Sequence, residues 1–203
     1  MMSVAKRTRL VRWFAAALAW GALASAYAAP ELDQVTVGNV STTSFCICWE
    51  TSEPSVPSVA VFSDAGGTAD LAGEVKVELF PLTSEQRGET RSDAIRQAGK
   101  ALRAAMESKN LEVVKVAGLA PGSDYFVRPL AVDGEGATIG SADLQTVTTA
   151  QTAKFVNESR QVFVDLSALD VPGSEVVGGV VVISTPAARY PLISVIGDSA
   201  SPA

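Results

Sequence analysis

Two cysteines, Cys46 and Cys48, are the only thiols in a chain of 203 residues that contains no histidine. At i and i+2 on an extended backbone, their side chains point to the same side of a strand, with α-carbons about 6.5–7 Å apart, at or past the limit of an unstrained disulfide. Two sulfurs are half of a tetrahedral zinc set, and nothing near them in the sequence completes it. Three readings stay open: small apolar side chains beneath a covering element, intermolecular disulfides, or a soft-metal site. Without histidine there is no Ser-His or Cys-His pair, no His-ligated zinc and no imidazole switch near neutrality. Carboxylate pairs of the glycosidase kind need a cleft with aromatic sugar platforms, and aromatics make up only 6% of the chain. The sequence therefore reads as noncatalytic, with no cofactor and no metal.

A second group with chemical meaning is basic. Arg96, Lys100 and Arg103 recur at i, i+4 and i+7, with Arg87 and Arg91 just before them, on a protein of net charge −6. Such a stripe is either a docking face for an acidic partner or a solvated face paired with local acids.

The elements that must position these residues begin after a leader. Lys6, Arg7, Arg9 and Arg12 precede an apolar run from Trp13 to Leu23 and small residues ending Ala26-Tyr27-Ala28, the layout of a signal peptide over residues 1–28. The expectation is export to the periplasm, cell surface or exterior. Cleavage takes away four basic residues and no acidic one, moving the net charge from −6 to −10 and disfavouring nucleic acid as a partner. No later segment has the length and apolarity of a membrane span.

Leu32 to Val40 alternates and ends in a Ser/Thr turn. Phe45, Ile47 and Trp49 then share one strand face, with Trp49 as core anchor, while Cys46, Cys48 and Glu50 share the other. Glu53 to Pro57 reads as a break, Val59 to Phe62 as a strand up to the Asp64-Ala65-Gly66-Gly67 turn, and Glu74 to Phe80 as another strand. Leu119-Ala120-Pro121-Gly122-Ser123-Asp124-Tyr125 has the form of a tyrosine corner, in which the hydroxyl bonds back to upstream backbone at a crossover between sheets. Pro129 lies inside the strand that follows, where a bulge or gap is expected. Asp133-Gly134-Glu135-Gly136 reads as a hairpin loop rather than a calcium loop, and Asn39-Val40-Ser41 and Asn157-Glu158-Ser159 match the glycosylation triplet.

On these residues, from Val40 through Phe45 and Trp49 to the Tyr125 corner and Thr146-Val147-Thr148-Thr149, the chain resembles a fibronectin type III domain over residues 29–149. Cys48-Trp49-Glu50-Thr51-Ser52-Glu53-Pro54 is also similar to the module that precedes the catalytic domain of purple acid phosphatases, without that catalytic domain. The fold implied is mainly β: an immunoglobulin-like β-sandwich with one inserted α-helix and a small C-terminal β segment.

The insertion falls at about residues 83–110. Ser92 is the expected N-cap, Ile95, Ala98, Leu102, Ala105 and Met106 form the apolar stripe, and Asn110 is suited to the left-handed C-terminal position. In residues 150–203, Gln161–Leu166, Val176–Ile183 and Tyr190–Ile196 read as strands, too few for an independent core and hence packed on the sandwich or used in assembly. Two functions follow. One is an exported noncatalytic sandwich that binds a protein or polysaccharide, or joins an envelope assembly and oligomerises through its C-terminal strands. The other is an accessory subunit or remnant of a secreted hydrolase such as a phosphatase.

Overall fold

In the computed structural model, which describes residues 29–79, 93–151 and 172–197, strands β1 (Leu32–Gly38) and β2 (Ser44–Thr51) pair antiparallel around a short turn. Ser41 holds that turn: its hydroxyl accepts hydrogen bonds from the amides of Thr43 and Ser44, which is the local device that makes serine a turn residue. Next come β3 (Val56–Phe62), β4 (Lys76–Leu79), helix α1 (Asp93–Glu107), β5 (Leu111–Ala117), β6 (Asp124–Val132), β7 (Thr138–Ser141) and β8 (Gln145–Thr148). A single helical turn α2 (Gly173–Val176) then leads into β9 (Val180–Ile183) and β10 (Leu192–Val195). The signal segment, the N-cap at Ser92, and the strand expected at Gln161–Leu166 lie outside the described residues.

The strands form two antiparallel sheets ordered β1-β2-β5-β4 and β3-β6-β7, with β8 also on β6. Phe45, Ile47 and Trp49 of β2 and Val114 and Val116 of β5 meet Val59, Val61, Tyr125, Val127 and Val147 of the other sheet in one core. This is a β-sandwich, two antiparallel sheets packed face to face around one core. The corner forms as read: Ala120 N–H donates to the Tyr125 hydroxyl at 2.8 Å. Tyr125→Phe should remove that bond and little else, lowering the urea-unfolding free energy by about 1 kcal/mol.

Pro129 does not interrupt its strand. On one side β8 pairs with Asp124–Val127 and β7 takes over at Leu130, so Pro129 falls where the partner changes. Its carbonyl accepts from Ala142 N–H on that side. Since N–H and C=O of one strand residue point the same way, the missing donor faces the gap and not β3. The same alternation corrects the break expected at Pro57. Pro57 belongs to β3 opposite Ala131, two residues from the Val59/Pro129 pair, so its nitrogen faces the open edge of an edge strand, where a donor is dispensable.

Helix α1 sits between β4 and β5, and Asn110 ends it at φ 54, the left-handed position that asparagine tolerates. The strand expected to start at Val176 starts instead at Val180. The intervening Gly178, at φ 82, is pressed against the helix: a Cβ there would lie 2.6 Å from the Ala105 carbonyl carbon. Close approach of two backbones, rather than local β preference, sets the boundary.

Candidate functional site

The thiols lie on the outer face of the first sheet, not in the sandwich core. Across β2, Cys46 is opposite Gly38 and Lys115, and Cys48 is opposite Thr36 and Val113. Met106 of α1 and Ile193 of β10 close over them with Val113, flanked by Val180 and Val195. Helix and C-terminal hairpin together form the cover. Both cysteines are free and buried. Burial pushes the Cys46 thiol up, against the pull of a hydrogen bond with Asn39 and of the Lys115 charge. Cys48 is pushed up to about 11, by burial first and then by Cys46 beside it. Thiols of that kind are protonated at neutral pH and are poor nucleophiles and poor metal ligands. Among the described residues no cluster of three or more Cys, Asp or Glu side chains is placed to hold a metal ion.

Asn39 fastens the cover. At φ 51 it turns its amide toward β10, donating from Nδ2 to the Ile193 carbonyl at 2.7 Å and accepting from Ile193 N–H on Oδ1 at 2.9 Å. Its own N–H donates to the Pro191 carbonyl. The side chain thus stands in for a neighbouring strand, and the Nδ2 of this glycosylation triplet is engaged in the fold. A few residues earlier in the chain, the Tyr190 hydroxyl accepts from Thr148 N–H at the rim of β8, while the ring packs against the sandwich core.

The basic stripe divides. The Arg96 side chain lies outside the described residues, and Lys100 is exposed. Arg103 is half-buried and its charge acts on Glu112, the residue opposite Trp49 at the start of β5. Glu112 is 2% exposed, and among the described residues its Oε2 has no hydrogen-bond partner. Desolvation raises its pKa to about 7; Arg103 pulls it back and Glu107 adds to the rise. No motif marks it in the sequence. The only signal is an acid on the same strand face as Val114 and Val116.

The two acidic loops are self-contained. Asp133 accepts from the amides of Glu135 and Ala137, and Asp64 from those of Gly66, Thr68 and Ala69, the Ala69 bond most lowering its pKa. These carboxylates stabilise turns. An open cleft of about 760 Å³ runs between β1 and β7, lined by Pro30, Leu32, Asp33, Thr138 and Asp143 among others. None of the residues singled out in the sequence reaches it.

The class defined by this geometry is a mainly β, sandwich-type protein with an inserted helix and a C-terminal hairpin laid across one sheet. No protein-family model matches the chain, and no curated protein matches it. Solved structures similar to it include a β-sandwich protein redesigned by computer, at 14% identity and TM-score 0.33, covering 60% of this chain and 96% of the other. A family 28 exopolygalacturonase of Yersinia enterocolitica is similar at 16% identity and TM-score 0.33, covering 62% of this chain. The match takes in 21% of that enzyme's chain. No helix among the described residues is long and apolar enough to cross a membrane.

Proposed function

We propose that the protein is an exported, noncatalytic β-sandwich related to fibronectin type III modules, and that it works by contact through its C-terminal hairpin. One observation carries the choice of surface. Strands β9 and β10 pair, among the described residues, only with each other, and they leave Val182 44% and Leu192 52% exposed. With Asn39 on the outer edge of β10 at Ile193, the edge left open among the described residues is that of β9, and an open edge beside apolar side chains suits the addition of an extended segment of another protein. The alternative surface is weaker, because Arg103 is half-buried where Lys100 is exposed, and its charge acts on Glu112.

The test is cross-linking in the native envelope fraction, followed by light scattering of the purified chain. Leu192→Asp with Val182→Asp should abolish the cross-linked species while leaving the melting temperature within about 2 °C, since neither side chain is buried. If Lys100→Glu abolishes it and the hairpin variant does not, the helix is the contact. Hydrolysis of phosphate esters or glycosides at enzyme-like rates would overturn the noncatalytic reading.

A further inference from the structure

Apart from Met1 and Met2, every sulfur in this chain meets at one place. The chain has two cysteines and three methionines. The third methionine, Met106, is 1% exposed in the last turn of α1 and packs with Cys46 and Cys48, beside Val113 of β5 and Ile193 of β10. Spacing in the sequence puts two sulfurs on one strand face; the fold adds the third. Two thiols and a thioether are soft ligands of the kind that select Cu(I), whereas zinc would need a fourth ligand. The spacing that strains a disulfide suits a metal, because sulfurs bound to one ion at about 2.3 Å lie about 4 Å apart, against about 2 Å in an S–S bond. The surroundings favour thiolate. The Asn39 side chain hydrogen-bonds to Cys46 and the Thr36 backbone to Cys48, and Lys115, across the strand pair from Cys46, adds a positive charge. Hydrogen bonds of this kind orient ligands on a metal, and Val113 and Ile193 keep the remaining walls apolar.

We infer that Cys46, Cys48 and Met106 form a binding site for one cuprous ion, held between the outer face of the first sheet and helix α1. Binding forms two copper–thiolate bonds and one copper–thioether bond and releases the two thiol protons to solvent. Copper stays Cu(I), and nothing is oxidised. The ion with two thiolates carries one net negative charge, which Lys115 offsets. Burial keeps the free thiols protonated and so poor ligands for weakly bound ions, but a soft monovalent ion binds thiolate tightly enough to displace the protons. This site is separate from the open edge of β9 and does not depend on what binds there.

The experiment titrates the full-length folded protein, reduced and under argon, with Cu(I) supplied as its bicinchoninate complex, whose colour fades as the protein takes the metal. One equivalent should transfer. X-ray absorption at the copper edge, which needs no variant, should show three sulfur neighbours and no nitrogen or oxygen. Ag(I) should compete for the site and Zn(II) should not. Cys46→Ser should abolish transfer. Met106→Leu keeps the buried volume and both thiols; since even outer-shell partners are worth about 10–100-fold in metal affinity, losing this ligand should weaken binding about tenfold or more. No transfer to the wild type, copper bound by nitrogen or oxygen, or transfer that survives Cys46→Ser as an adventitious ion would, each overturns the site. Binding by Met106→Leu as tight as by the wild type overturns the three-sulfur assignment.

Discussion

Trp49→Ala should be the most destabilising single substitution in the sandwich, costing roughly 3–5 kcal/mol. Trp49 is 1% exposed and packs with Phe45, Ile47 and the valines of the facing sheet, so truncation leaves a cavity whose walls are fixed by paired strands. Domains of this size are stable by only about 5–15 kcal/mol, and the loss should lower the melting temperature by about 10 °C or more. Trp49→Phe separates packing from polarity. The indole N–H has no partner among the described residues, so phenylalanine keeps most of the buried volume and removes an unsatisfied donor; its cost should be about 1 kcal/mol or less. Equal losses for the two variants in urea unfolding would mean that cavity volume is not what governs this site.

Strand β2 was legible because only its inner face carries large side chains, so alternation survives in the sequence. The tyrosine corner was legible because its residues act locally, within five positions, as the Ala120–Tyr125 bond shows. Strand β5 was not. Val113, Val114 and Val116 are all buried, Val114 and Val116 by the sandwich core and Val113 by the cover, and a strand covered on both faces shows no period of two. The cysteines could be placed on the outer face from spacing alone. That helix and hairpin both close over them depends on Asn39 reaching Ile193, 154 positions away. Helical spacing put Arg96, Lys100 and Arg103 on one stripe, but the pull of Glu112 on Arg103 comes from the following strand and leaves no periodic trace. The start of β9 was missed for a related reason, since Gly178 answers to the backbone of α1 rather than to its neighbours in sequence.

Gly178→Val should release the hairpin while the sandwich stays folded. A Cβ at this position would lie 2.6 Å from the Ala105 carbonyl carbon and 2.7 Å from the Met106 nitrogen. Both atoms belong to helix backbone and cannot swing aside as a side chain would. The φ of 82 adds strain that a β-branched residue bears badly, about 1–3 kcal/mol before any clash. The contacts opposing release are few: Ile193, Val180 and Val195 on Met106, Val113 and the thiols, the hydrogen bonds from Asn39, and Tyr190 held at Thr148 and the rim of the core. A local penalty of about 3 kcal/mol would raise the open population about a hundredfold. Labelling of Cys46 and Cys48 at a fixed acidic pH should quicken by that order, with the main unfolding transition retained because none of the core side chains of the two sheets is touched. Asn39→Ala should act in the same direction with a smaller effect, losing two hydrogen bonds worth about 1 kcal/mol each. Gly173→Val is the control, since a Cβ there meets nothing within 4 Å. Thiols that stay protected in a folded Gly178→Val protein would show that the hairpin is not what covers them.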